Sequence, residues 1–188
     1  MSIKLFKFAK YYSELMEALD FKNVVPVKLH KISSVDYANS DKSITAHFKE
    51  YDLEELDLIN FPTQLKNIKS AYNVGFSIDG LDSQSYKTDY QEYISILAGV
   101  KDAVLDFIKN KNPDVLIFVS MDRGGDLKND DTKTKLYKYA LAKNIPSGYK
   151  LETDLKLFDG YDLEGMILYR ANLWEVRFEK RFTALKNG

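Results

Sequence analysis

Two histidines, a short acidic loop and a basic, aromatic C-terminal stretch are the residues of this chain whose types could do chemistry. His30 and His47 fall on separate expected strands and can become neighbours. Two ligands without a helical i, i+4 spacing make a weak metal pattern. Both are therefore read as surface or strand histidines. Asp122, Asp126, Asp130 and Asp131, with Asn129, surround Gly124-Gly125. Hard cations take several oxygen ligands from loops of this kind. The order does not fit the calcium-loop pattern D-x-[DN]-x-[DN]-G, so the segment reads as a solvated loop with a helix N-cap. No metal and no cofactor are expected.

The C-terminal stretch sets Arg170, Arg177, Lys180, Arg181 and Lys186 against Glu175 and Glu179, with Trp174, Phe178 and Phe182 interleaved. Basic and aromatic side chains in this mixture suit a partner or nucleic acid. A basic terminal strand with one buried face explains them equally well. Arg170, Trp174, Arg177, Phe178, Lys180 and Arg181 are the partner-binding candidates. Tyrosines at 11, 12, 86, 90, 93, 137 and 139 add aromatic surface of the kind enriched at interfaces, or follow from a Tyr-rich core. The chain has no nucleophile elbow, P-loop, HExxH or dinucleotide fingerprint.

Composition narrows the class without choosing a function. The 188 residues are 45% hydrophobic and 29% charged, as in a globular protein rather than a disordered one. That length holds one domain with an ordinary core. Net charge is −1, so global charge gives no argument for nucleic acid or an anionic membrane. No apolar run approaches the roughly 20 residues of a membrane span. The start Met1 to Lys7 has no signal-peptide apolar block, and cysteine is absent, which together lead us to expect an intracellular setting.

The elements that must position these residues follow from periodicity. Ala9 to Leu19 has helical spacing. Val24 to Ile32 and Ser43 to Tyr51 alternate as strands, and Asp52 to Ile59 reads as a short helical turn. From Ala71 the pattern sharpens. Tyr72, Val74, Phe76 and Ile78 alternate with Asn73, Gly75, Ser77 and Asp79 and end at Asp79-Gly80, a turn signal. Leu81 to Thr88 reads as a loop. Tyr93, Leu97, Val100, Val104, Phe107 and Ile108 then make one face of a helix over 89–110, with Asp89 and Glu92 as a capping box. Asn112-Pro113-Asp114 ends it. The apolar run Val115 to Val119 reads as a strand covered on both faces. A second helix carries Leu136, Tyr137, Ala140 and Leu141 and ends at Asn144 to Gly148. Strands are expected over Tyr149 to Leu157, Gly165 to Arg170 and Asn172 to Phe178, with a turn at Asp159-Gly160. The order β-α-β-α-β-β predicts an α/β (α+β) sandwich with a mixed central sheet flanked by helices. It is one domain over 1–188, with an N-terminal α/β portion over 1–70, a core over 71–170 and a basic, aromatic strand and tail over 171–188.

The core carries a resemblance. Tyr72-Asn73-Val74-Gly75-Phe76, the helix from Val100 to Ile108, the strand from Pro113 to Val119, and Lys135-Leu136-Tyr137-Lys138-Tyr139-Ala140 occur in an order that resembles GNAT-like (N-acetyltransferase-fold) proteins encoded by bacteriophages. About half the chain is covered. The resemblance implies a GNAT-like sandwich, and at Tyr137 a phenol that in active members can protonate a leaving thiolate. A helix tyrosine packed on the sheet is the plainer account of Tyr137. Active members hold the pyrophosphate of acetyl-CoA on a glycine-containing turn at a helix N-terminus. Here that place is Gly80 to Tyr90, with a single glycine at its start, and with Asp82, Asp89 and Glu92 opposed by Lys87. Like charge beside a desolvated pyrophosphate is unfavourable. The resemblance then implies a domain without CoA catalysis: a virion-associated or assembly protein in the particle or the host cytoplasm. It would bind other phage proteins or itself. An acyltransferase with an altered cofactor loop, or an anti-host factor binding one bacterial protein, are the alternatives.

Overall fold

A computed structural model describes residues 24–54, 56, 65–82, 90–121, 138, 140–156 and 163–173. They form a mixed α+β domain around one sheet. Its strands are β1 (His30–Lys31), β2 (Asp36–Ala38), β3 (Ile44–Glu50), β4 (Ala71–Ile78), β5 (Leu81–Asp82), β6 (Val115–Met121), β7 (Tyr149–Lys156) and β8 (Leu163–Arg170). The long helix α1 spans Tyr90–Lys111. The strand order is β1-β2-β3-β4-β6-β8-β7, with β5 paired to β4 off this path. β4 and β6 are parallel, as a helical crossover allows. The other described pairs are antiparallel.

The expected strands at 71–78, 115–119, 149–157 and 165–170 are present within a residue or two at most ends, as is the 89–110 helix. Asp79 and Gly80 both have positive φ, 51° and 72°, as a type I′ hairpin turn requires. The turn sends the chain back along β4, so Leu81 and Asp82 form β5 where a loop was expected.

Three expectations change. Val24 to Leu29 is not a strand. Val27 N–H donates to Ser95 C=O at 3.0 Å, and Ser95 Oγ donates to Val25 C=O at 2.6 Å. The alternating apolar residues Val27 and Leu29 pack on the core along α1 instead of joining a ladder. β2 is a strand that periodicity misses, because three residues carry no readable alternation. At the C-terminal end the chain leaves the sheet after Arg170 in a 3₁₀ turn, Ala171–Leu173, where a continued strand was expected to begin at Asn172. The expected helix at 9–19, most of the helical turn at 52–59, the Asp89 cap, the acidic loop and the Asp159-Gly160 turn lie outside the described residues.

The core lies on both faces of the sheet. On one face Ala46 and Phe48 of β3, Val74 of β4, Leu116 and Phe118 of β6 and Leu168 of β8 meet Ile96, Val100, Val104 and Phe107 of α1. Phe48 stacks on Phe107 with centroids 4.0 Å apart and planes 8° apart. On the other face Ala71, Val115, Ile117, Ile167 and Tyr169 meet Leu56 and Leu65. This is why β6 has no polar alternation: Leu116 and Phe118 point to one layer, Val115 and Ile117 to the other.

Candidate functional site

Three places in this frame are candidates for a site. The first is the sheet face away from α1, across β2, β3 and β4. Asp36 stands opposite His47, and His47 stands opposite Gly75, with Ser77 two residues further on. Phe48 N–H donates to Val35 C=O, so the next pair, Asp36 and His47, is a narrow pair without ladder bonds of its own. Side chains approach closest at such pairs. His47 Nδ1 lies 2.9 Å from Asp36 Oδ1, and Nε2 lies 3.3 Å from Ser77 Oγ. Ser33 Oγ donates to the other Asp36 oxygen at 2.8 Å. Partial burial pushes the Asp36 carboxyl up. Its hydrogen bonds from His47 and Ser33 and the charge of His47 outweigh this and hold it below the usual carboxylate range. The His47 side chain is 48% exposed.

The second place is where β4 and β6 part. Their pairing covers Ala71 with Val115, Tyr72 with Leu116 and Asn73 with Ile117. Beyond Asn73, β4 continues to Ile78 and β6 to Met121. Tyr51 N–H donates to Ala71 C=O and Asp79 N–H donates to Ser43 C=O. By alternation, odd residues of β4 turn their backbone groups to β3 and even ones, Phe76 included, to the β6 side. Grooves outside the C-terminal ends of parallel strands commonly take ligands. Here β5 lies along that side of β4, opposite Ser77 and Ile78.

A third cluster fixes the other end of the parallel pair. Asp114 is 7% exposed, and its Oδ2 accepts from the backbone N–H groups of Lys69 at 2.7 Å and Ser70 at 3.2 Å. Ser70 Oγ accepts from Asp114 N–H at 3.0 Å. Arg170 Nε lies 3.5 Å from Asp114 Oδ1, without hydrogen-bond geometry, and its other guanidinium nitrogen donates to Asn112 C=O. Tyr149 Oη donates to Pro113 C=O at 2.6 Å. Burial pushes the Tyr149 phenol up, partly offset by Arg170.

Arg170 therefore sits in a structural cluster at the end of β8. Trp174, Arg177, Phe178, Lys180 and Arg181 lie outside the described residues, as do Tyr137 and the acidic loop. His30 is an exposed residue of β1, and the structure pairs His47 with Asp36 and Ser77 rather than with His30. His47 lies on β3, one of the expected strands, and its partners are what the sequence did not show. The signal available was parity: Asp36 and His47 each sit one residue from a buried apolar neighbour, so both face away from the core. Among the described residues no group of three or more acidic or histidine side chains is placed to hold a metal. No described helix is long and apolar enough to cross a membrane. Comparison with family models, with curated proteins and with solved structures finds no match for this chain.

Proposed function

We propose that this chain is a GNAT-like protein of a bacteriophage that works by protein–protein binding. It would act as a virion-associated or assembly component, in the particle or the host cytoplasm, and would not transfer acyl groups from CoA. The order strand, long helix, buried strand, helical residues at 140–142, then two strands supports the fold. The hairpin at Asp79-Gly80 carries the rest. A pyrophosphate-holding turn needs backbone N–H groups leading from the strand into the helix. Here the chain after β4 doubles back, and Leu81, opposite Ile78, turns its backbone groups to β4. Glu92 in the first turn of α1 adds negative charge where an anion would sit. Partners of this reading are other phage proteins or a second copy of the chain. Mass spectrometry of purified particles tests it: the protein should be present at fixed stoichiometry, and its absence counts against the virion role.

The parting of β4 and β6 favours a second reading, an acyltransferase with an altered cofactor site. A thioester lying between the strands could meet the backbone of Phe76. Calorimetry with acetyl-CoA separates the two readings. Micromolar binding supports the acyltransferase and overturns the non-catalytic assignment.

A further inference from the structure

The sheet face away from α1 holds a constellation that a binding role does not use. Asp36, His47 and Ser77 come from three neighbouring strands and share that face. An ionised Asp36 next to Nδ1 fixes the tautomer: Nδ1 carries the proton and donates to Oδ1 at 2.9 Å. Nε2 is then left with its lone pair 3.3 Å from Ser77 Oγ, so the hydroxyl donates to the ring. This is the arrangement in which a serine oxygen attacks while histidine takes its proton. Ser33 holds the second Asp36 oxygen at 2.8 Å, which fixes the carboxylate from its far side. A further observation points to a ligand. Gly75 stands opposite His47, and a Cβ built on it meets nothing within 4 Å. Glycine inside a strand weakens it and often marks close approach of another molecule.

We propose that Ser77 is a nucleophile activated by His47, with Asp36 as the positioning residue, in a site that hydrolyses activated carboxylic esters. Ser77 Oγ attacks the carbonyl carbon as its proton passes to His47 Nε2. The bond from carbon to the leaving oxygen breaks, and that oxygen takes the proton from Nε2. Water then attacks the acyl-serine, gives a proton to Nε2, and Ser77 leaves carrying that proton, freeing the carboxylic acid. The substrate class follows from the backbone. Ser77 is an odd residue of β4, so its own N–H faces β3 and is committed to the sheet. Negative charge on the carbonyl oxygen gains no help from that amide. The site therefore selects esters with a stable leaving group, such as aryl esters, and spares amides. This goes beyond the binding role and is independent of it: an unreactive Ser77 leaves that role standing, and absence from particles leaves this one standing.

The full chain, incubated with a fluorophosphonate probe, tests the proposal. We expect a single adduct that peptide mass spectrometry places on Ser77. Ser77→Ala should abolish it, and His47→Gln should slow it by about a hundredfold, the scale of general-base assistance. Gly75→Val, which fills the open space opposite His47, should slow labelling without lowering the melting temperature. With p-nitrophenyl acetate, Asp36→Asn should lower kcat and leave KM in place. No adduct on the full chain, an adduct at another residue, or labelling of His47→Gln at the wild-type rate each overturns it. If Ser77→Ala fails to fold, the adduct position in the full chain still decides.

Discussion

Asp114 Oδ2 accepts the backbone N–H of Lys69 at 2.7 Å, from 45 residues further along the chain. One buried carboxylate thus sets the start of β4 against the start of β6, and the Ser70 hydroxyl returns a bond to the Asp114 amide. Asp114→Ala would orphan two N–H groups and leave the Arg170 guanidinium without its counter-ion. Breaking a buried pair from one side costs about 3–5 kcal/mol. Urea unfolding should show a loss of that size, and a loss below about 1 kcal/mol would mean that water replaces the carboxylate.

Gly99 of α1 has no room for a side chain, because its Cβ would collide with the Val27 carbonyl. Gly99→Ala should lift the Val24 to Leu29 segment off the helix at a cost of about 1–3 kcal/mol, typical of overpacking. Hydrogen exchange at Val27 N–H, which bonds Ser95 C=O, is the readout. Its exchange should quicken while amides of β6 change less.

The stacked pair Phe48 and Phe107 is fully buried between β3 and α1. Phe107→Ala should cost about 3–5 kcal/mol through lost contact and a residual cavity. Phe107→Leu should cost markedly less. Thermal melts of the two variants give the ranking.

Alkaline pH should destabilise the domain through two buried phenols. Burial pushes the Tyr37 and Tyr169 phenols up to about 12, with the neighbouring carboxylates Asp106 and Glu152 adding to the shift. In the unfolded chain a phenol ionises near 10. The folded pKa lies above the unfolded one, so this stability is fully present below about pH 10 and is lost as pH rises through about 12. Urea midpoints should hold flat up to about pH 10 and fall beyond it. Tyr37→Phe should shrink that fall.

Periodicity was enough for β3, β4, β6, β7, β8 and α1, because each has one continuous apolar face or layer that only its own repeat places inside. It failed where a neighbour outranks local pattern. Val24 to Leu29 alternates like a strand, yet Gly99 lets it lie on a helix. Asn172 to Phe178 alternates in sequence like a strand, yet the chain curls at Ala171–Leu173. The Asp36, His47 and Ser77 cluster was out of reach for a different reason. Its members are 11 and 30 residues apart, and only the strand register makes them neighbours. The helix signal itself understated burial: Ile94, Ile96 and Ala98 are buried outside the expected stripe, Ile96 against the sheet core.

The three-pair contact between β4 and β6 has a consequence for how the domain comes apart. It joins a half made of β1 to β5 to a half made of β6, β8 and β7, each of which is otherwise paired antiparallel within itself. Among the described residues backbone bonds across that seam are few, so cohesion between the halves leans on α1 over one face, Leu56 and Leu65 over the other, and the Asp114 cluster. Proteins with such seams open in cooperative blocks below the energy of global unfolding. Amides of Val115, which bonds Ser70 C=O, and of Tyr72 at the seam should exchange together with one another, and earlier than the amides shared between β6 and β8.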